Sequence, residues 1–99
     1  ESMGFAETSS DEETMRMQYM LASTEGIYAE AASVTPLVAI GKLRKTGKIR
    51  EDDTVVALIT SSGLKDPGET AKRMPKVPLI EPNLHSMTQA LKEKYGFVI

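Results

Sequence analysis

Residues 54–60 form an uninterrupted run of apolar and β-branched side chains, Thr54-Val55-Val56-Ala57-Leu58-Ile59-Thr60. Polar residues do not alternate with apolar ones in this run, so it does not look like a strand with one face in water. Such a run is typical of a parallel strand that helices cover on both faces. The sequence therefore predicts an α/β fold with an interior strand at this position.

Short helices separated by glycine and proline are predicted for much of the remaining chain. Ser10 followed by Glu13 has the pattern of a capping box, and a helix that starts there would end at Gly26. Its buried face is predicted on four residues at helical spacing: Met17, Met20, Leu21 and Thr24. Further helices are predicted from about 32 or 33 to 46, around 69–73, and over 83–95 after the cap Asn83.

Together these elements predict a small fragment of a helix-flanked, mainly parallel sheet. The order is helix, helix, strand, loop, helix, with one or two extra edge strands at 4–8 and 97–99. Prolines at 75, 78 and 82 make residues 74–82 a proline-rich, extended connection to the last helix. At 99 residues the chain is long enough for a single domain with one modest core.

Composition excludes several classes of function. Twelve basic and fourteen acidic residues give a net charge of −2, which argues against a nucleic-acid partner. With no cysteine and a single histidine, His85, a disulfide framework and a metal site are not expected. The longest apolar run is far too short to cross a membrane, and the start of the chain does not look like a signal peptide. Because Glu1-Ser2 precede Met3, we expect either a fragment of a longer protein or a chain with added tag residues.

Two segments could hold a ligand. Thr60 ends the predicted strand and Ser61-Ser62-Gly63 follow it, where α/β sheets bind ligands and where hydroxyls can bond a ring nitrogen, a carboxylate or a phosphate. Residues 25–33, with small side chains ahead of a helix, could admit a ligand to free N–H groups. From residue types alone, a plain turn remains the favoured alternative for both segments. No spacing of acids or histidines identifies a catalytic pair.

The two segments together resemble a known enzyme family. Residues 25–33, Glu-Gly-Ile-Tyr-Ala-Glu-Ala-Ala-Ser, and residues 53–67, which end in Gly-Leu-Lys-Asp-Pro, resemble the C-terminal part of the threonine synthases. These belong to the pyridoxal-phosphate enzymes, with tryptophan synthase β, threonine dehydratase and cysteine synthase. The Gly-Leu-Lys-Asp-Pro stretch is more particular to the threonine synthases. The resemblance covers nearly the whole chain but only about the last quarter of a typical family member.

The resemblance implies a cofactor site without catalytic residues of its own. Thr60 matches the hydroxyl residue that hydrogen-bonds the pyridine nitrogen of pyridoxal phosphate, and Ser61, Glu30 and Ser33 match segments near the cofactor. The Schiff-base lysine and the phosphate-binding glycine loop match nothing in this chain and belong further upstream. This sequence departs from the family at Ala31, where proline is usual, and at residues 61–62, where glycine and then asparagine or histidine are usual.

The resemblance also implies a function. A full-length parent, a cytoplasmic lyase of threonine biosynthesis, would convert O-phosphohomoserine and water to threonine and phosphate, and residues 1–99 alone would be inactive. The implied partners are the remainder of the parent enzyme and an amino-acid substrate, and we expect a homo-oligomer. Two alternatives stay open: a related β-replacing enzyme or dehydratase, and a free-standing, non-catalytic α/β interaction module.

Overall fold

Helices make up most of the regular structure in residues 3–98, the part of the chain that a computed structural model describes. The four α-helices are α1 (Asp11–Glu25), α2 (Thr35–Lys45), α3 (Pro67–Ala71) and α4 (Leu84–Tyr95). A short 3-10 helix, Ala31–Val34, immediately precedes α2. A second, Gly63–Lys65, lies just before α3. Residues 75–81 run from α3 toward α4 without regular secondary structure.

Local capping explains where the two longest helices begin and end. The Ser10 hydroxyl accepts the N–H of Glu13 at 3.2 Å, and the Glu13 carboxylate accepts the N–H of Ser10 at 2.9 Å. These bonds confirm the predicted capping box of α1. The side chain of Asn83 likewise accepts the N–H of Ser86 at 2.8 Å and begins α4. Both helices end at a left-handed glycine, Gly26 and Gly96, as predicted.

The predicted α/β fold with a parallel sheet is wrong. Residues 3–98 contain no strand, and the β-pairing found there is a single antiparallel bridge between Ala29 and Ser62. Residues 54–60 have no regular secondary structure, and Val56 and Leu58 are 82% and 74% exposed. The edge strands predicted at 4–8 and at Phe97–Val98 are also missing. Ile99 lies outside the described residues, as do Glu1 and Ser2.

The strand prediction was wrong because a β-strand needs a neighbouring strand to pair with. Apolar β-branched residues give a segment the tendency to pair, but the ladder of hydrogen bonds has to come from another segment. Within residues 3–98, no backbone hydrogen bond joins residues 54–60 to another part of the chain. The run of apolar residues shows only a tendency to pair, and residues 3–98 supply no partner for it.

The core is small and lies where α1, the first 3-10 helix and α2 meet. Its buried apolar residues are Ala29, Val34 and Val38. The apolar face predicted for α1 is only half right, because Met20 and Thr24 are exposed and Met17 and Leu21 are half-buried. The buried residues of α1 are instead polar, Thr14 and Gln18.

The described residues form an elongated body. Its extents are 63 × 27 × 18 Å and its radius of gyration is 18.4 Å. A compact domain of this length has a radius of gyration of about 13 Å. The chain therefore packs one small core at the junction of its first two α-helices and leaves the rest of its apolar surface open.

Candidate functional site

The β-bridge brings together the two segments that the sequence singled out. The N–H of Glu30 donates to the carbonyl of Ser61 at 3.0 Å, and the N–H of Gly63 donates to the carbonyl of Tyr28 at 3.0 Å. These bonds flank the bridge between Ala29 and Ser62. The loop after residues 54–60 is thus fixed against the turn that leads into α2.

Two hydroxyls meet beside this bridge. The Ser33 Oγ and the Thr60 Oγ1 lie 2.9 Å apart, with Ser33 buried and Thr60 exposed. One hydroxyl donates to the other, so the pair keeps one proton for a third group. When the buried Ser33 donates, the exposed Thr60 hydroxyl is free to donate to an acceptor on a ligand. The structure therefore brings Glu30, Ser33, Thr60 and Ser61 together, as the sequence analysis grouped them.

An ion pair lies at the rim of this group. The Lys65 ammonium lies 3.3 Å from the Glu30 carboxylate, and the two side chains are 66% and 21% exposed. The pair ties the second 3-10 helix to the segment that precedes the first. Because Glu30 neutralises Lys65, this side of the hydroxyl pair presents little net charge.

Ser62 has a structural role that matches the plain-turn alternative. Its hydroxyl accepts the N–H of Leu64 at 3.3 Å and caps the 3-10 helix Gly63–Lys65. A Ser or Thr hydroxyl that binds the backbone two residues further on is a common way to stabilise a turn. In this loop, then, the Thr60 hydroxyl is exposed and paired with Ser33, whereas the hydroxyl of Ser62 is used to cap the turn.

A partly buried set of hydrogen bonds behind the bridge was not predicted from the sequence. The Tyr28 hydroxyl donates to Thr70 Oγ1 at 2.9 Å, Thr70 donates to Gln18 Oε1 at 3.1 Å, and Gln18 Nε2 donates to the carbonyl of Ala29 at 2.7 Å. One signal was present in the sequence, since Thr14, Gln18 and Leu21 recur at helical spacing. A search for apolar periodicity does not detect polar residues in such positions.

Two cavities lie near the bridge, and neither is lined by Thr60. An apolar groove of about 1070 Å³ runs between α1 and α3, with Gln18, Tyr28 and Thr70 in its wall. A smaller cleft of about 300 Å³ is bordered by Glu30 and by residues of α1 and α3. Neither of these two cavities therefore encloses a ligand at Thr60.

Metal-binding clusters and membrane-spanning helices are absent from residues 3–98. No group of three histidine, cysteine, aspartate or glutamate side chains is placed to hold a metal ion in this part of the chain. None of the helices in the described range combines the length and the apolar character that a bilayer crossing requires.

The chain is similar to known proteins over most of its length. Residues 1–61 match a family model described as pyridoxal-phosphate dependent enzyme. The chain is 39% identical over 93 residues to the threonine synthase of Methanocaldococcus jannaschii, which covers 93% of this chain and 23% of that protein. It is 43% identical over 67 residues to the threonine synthase of Bacillus sp. strain ULM1, which covers 68% of this chain and 19% of that protein.

A third relative gives the same picture. The threonine synthase of Methanosarcina acetivorans is 35% identical over 91 residues, which is 92% of this chain and 22% of that protein. The chain thus spans less than a quarter of the length of the curated relatives it matches.

Proposed function

The chain belongs to the family of pyridoxal-phosphate-dependent enzymes, and from this premise we propose that it is the C-terminal part of a threonine synthase. The observation that carries the proposal is the 39% identity, over 93% of the chain, to a protein of that name. The proposed parent enzyme converts O-phosphohomoserine and water to threonine and phosphate. In this proposal residues 1–99 form one wall of the active site and are inactive alone.

The chemistry of the hydroxyl pair fits one end of the cofactor. A pyridine nitrogen accepts a hydrogen bond, and Thr60 has a proton to donate once Ser33 has donated to it at 2.9 Å. Lys65 lies at the rim of this group, where its ammonium pairs with the Glu30 carboxylate at 3.3 Å. We therefore assign the ring nitrogen to Thr60 and the phosphate group to the remainder of the parent enzyme.

Each of the four residues has a proposed task. Bound pyridoxal phosphate supplies an electron sink for the substrate carbanion. Thr60, a neutral donor, would hydrogen-bond the ring nitrogen, leave it largely unprotonated and so moderate that sink. Ser33 orients Thr60, and the backbone bond between Glu30 and Ser61 fixes the loop at 3.0 Å.

The exposed apolar surface supports the proposal that this chain packs against a large partner. Leu58 and Leu84 are 74% and 72% exposed, and none of the residues of α4 is buried. Exposed apolar surface of this extent is typical of an interaction surface. We propose that the remainder of the parent enzyme covers it, and that the isolated chain associates with itself instead.

The test uses the full-length parent enzyme with Thr60→Val, which removes the hydroxyl, and Thr60→Ser, which retains it. We expect Thr60→Val to lower kcat for phosphate release roughly tenfold, the worth of one good hydrogen bond, and to shift the absorbance maximum of the bound cofactor. Thr60→Ser should stay close to wild type in both.

Three results would contradict the proposal. The first is unchanged kcat and spectrum in Thr60→Val. The second is an enzyme that deaminates serine or threonine but releases no phosphate from O-phosphohomoserine, which identifies a dehydratase. The third is a gene product no longer than this chain, which identifies a free-standing module.

A further inference from the structure

A closed circuit of hydrogen bonds joins α1, α3 and the β-bridge. The Tyr28 hydroxyl donates to Thr70, Thr70 donates to Gln18, and Gln18 donates to the carbonyl of Ala29. Ala29 directly follows Tyr28 in the chain, so the peptide bond between them closes the circuit. The distances are 2.9, 3.1 and 2.7 Å. We call these three side chains, Gln18, Tyr28 and Thr70, the Gln18 network.

Each of the three hydrogen bonds of the Gln18 network has an assigned donor and acceptor. Thr70 has one hydroxyl proton and gives it to Gln18, so its oxygen accepts from Tyr28. Gln18 is 3% exposed and Ala29 is 1% exposed, so water cannot replace the bond between them. Removing the Thr70 hydroxyl would leave the half-buried Tyr28 hydroxyl without its acceptor and the buried Gln18 side chain without its donor, which carries an energetic cost.

The Gln18 network reaches the candidate site through the backbone. Gln18 holds the carbonyl of Ala29, which is the bridge residue next to Glu30. The Tyr28 ring lies so close to Gly63 that an added Cβ at that position would overlap ring carbons. The Gln18 network therefore fixes the positions of both segments that the bridge pairs. The distance between the Ser33 and Thr60 hydroxyls depends on how these two sides lie against each other.

We propose that Gln18, Tyr28 and Thr70 are positioning residues that hold the Thr60 hydroxyl against Ser33. The inference rests on the proposed function, because the position of Thr60 matters only if this hydroxyl meets the cofactor. None of the three residues touches substrate or cofactor in this scheme. They act through the bridge.

The first test measures the bridge itself, in the full-length enzyme without cofactor. Thr70→Val keeps the shape of the side chain and removes its hydroxyl, and Thr70→Ser restores the hydroxyl. Thr24→Val is the matched control, because Thr24 is exposed on α1 and bonds only locally, to the carbonyl of Met20. We expect amide hydrogen exchange at Glu30 and Gly63 to speed up roughly tenfold in Thr70→Val, as one lost hydrogen bond implies, and to stay unchanged in the other two variants.

The second test asks whether the Gln18 network acts through Thr60. With cofactor bound, we expect Thr70→Val to lower kcat and to shift the cofactor absorbance in the same direction as Thr60→Val, but less. The double variant should be no worse than Thr60→Val alone, because the network has nothing left to position. A loss of packing unconnected with Thr60 would instead add to the Thr60→Val effect.

The outcomes separate the two proposals. If Thr60→Val lowers kcat and shifts the spectrum but Thr70→Val changes neither, the positioning role is overturned and the proposed function stands. Additive losses in the double variant, or exchange at Glu30 and Gly63 that does not change, overturn the positioning role too. If Thr60→Val itself has no effect, the role of Thr60 and the positioning role fall together.

Discussion

At Gly63, the addition of a single methyl group should have a large effect on stability. An added methyl group there would meet ring carbons of Tyr28, whereas at Gly41, inside α2, it would meet nothing within 4 Å. We expect Gly63→Ala to lower the free energy of unfolding of the parent enzyme by about 1–3 kcal/mol through overpacking. Gly41→Ala should raise it by up to about 1 kcal/mol, since alanine favours helix. Thermal unfolding compares the two, and equal shifts would contradict this reading of Gly63.

Glu13 should make the start of α1 sensitive to acid. The Lys42 ammonium, 2.8 Å away, and the N–H of Ser10 lower the pKa of Glu13 from 4.5 to about 2. Since the pKa is lower in the folded chain, the ionised carboxylate stabilises the fold above pH 4.5, and this contribution disappears as the pH falls toward 2. Glu13→Gln should remove that part of the acid sensitivity.

Helical circular dichroism of the parent enzyme along a descending pH series measures this effect. The matched control is Glu12→Gln, which changes an exposed neighbour on the same turn. We expect the helical signal of Glu12→Gln to follow that of wild type along the pH series. The helical signal of Glu13→Gln should be lower at neutral pH and should change less as the pH falls. Identical acid profiles for wild type and Glu13→Gln would rule out the assigned role of Glu13.

At the scale of elements, the cap of α4 gives a local prediction. Asn83 accepts the N–H of Ser86 at 2.8 Å, and Asn83→Ala removes that acceptor. The loss should destabilise the first turn by about 1 kcal/mol. We therefore expect faster amide exchange at residues 84–88 in Asn83→Ala and near-normal exchange in Asn83→Asp. Equal exchange in all three proteins would show that the cap contributes nothing.

The same scale explains which elements the sequence could predict. Ser10 with Glu13, and Asn83 with Ser86, act within one helical turn, so their patterns can be interpreted without knowing the rest of the fold. Residues 54–60 needed partner strands, which no pattern inside the run can supply. The helices were thus predictable, whereas the predicted sheet was wrong because residues 3–98 contain no strand for residues 54–60 to pair with.

The candidate site, like the fold, was predictable from the sequence only in part. Glu30, Ser33, Thr60 and Ser61 were grouped through a family resemblance, and the structure joins them by hydrogen bonds. Their role toward the cofactor stays a prediction. The Gln18 network was not predictable, because Thr70 and Gln18 are 52 residues apart and carry no motif. Only the folded chain reveals that contact.

At the scale of the whole molecule, the small core implies that the isolated chain does not stay monomeric. A radius of gyration of 18.4 Å and exposed residues such as Val56, Leu79 and Val98 leave a large apolar surface in water. We expect sedimentation velocity to show association that grows with concentration. A clean monomer at high concentration would contradict this expectation.

We propose that this chain completes an enzyme that makes threonine from O-phosphohomoserine. The most direct measurement incubates the full-length gene product, loaded with pyridoxal phosphate, with O-phosphohomoserine and quantifies phosphate and threonine over time. The expected result is that both products form in equal amounts. Release of a 2-oxo acid in place of threonine, or no phosphate at all, would contradict the claim.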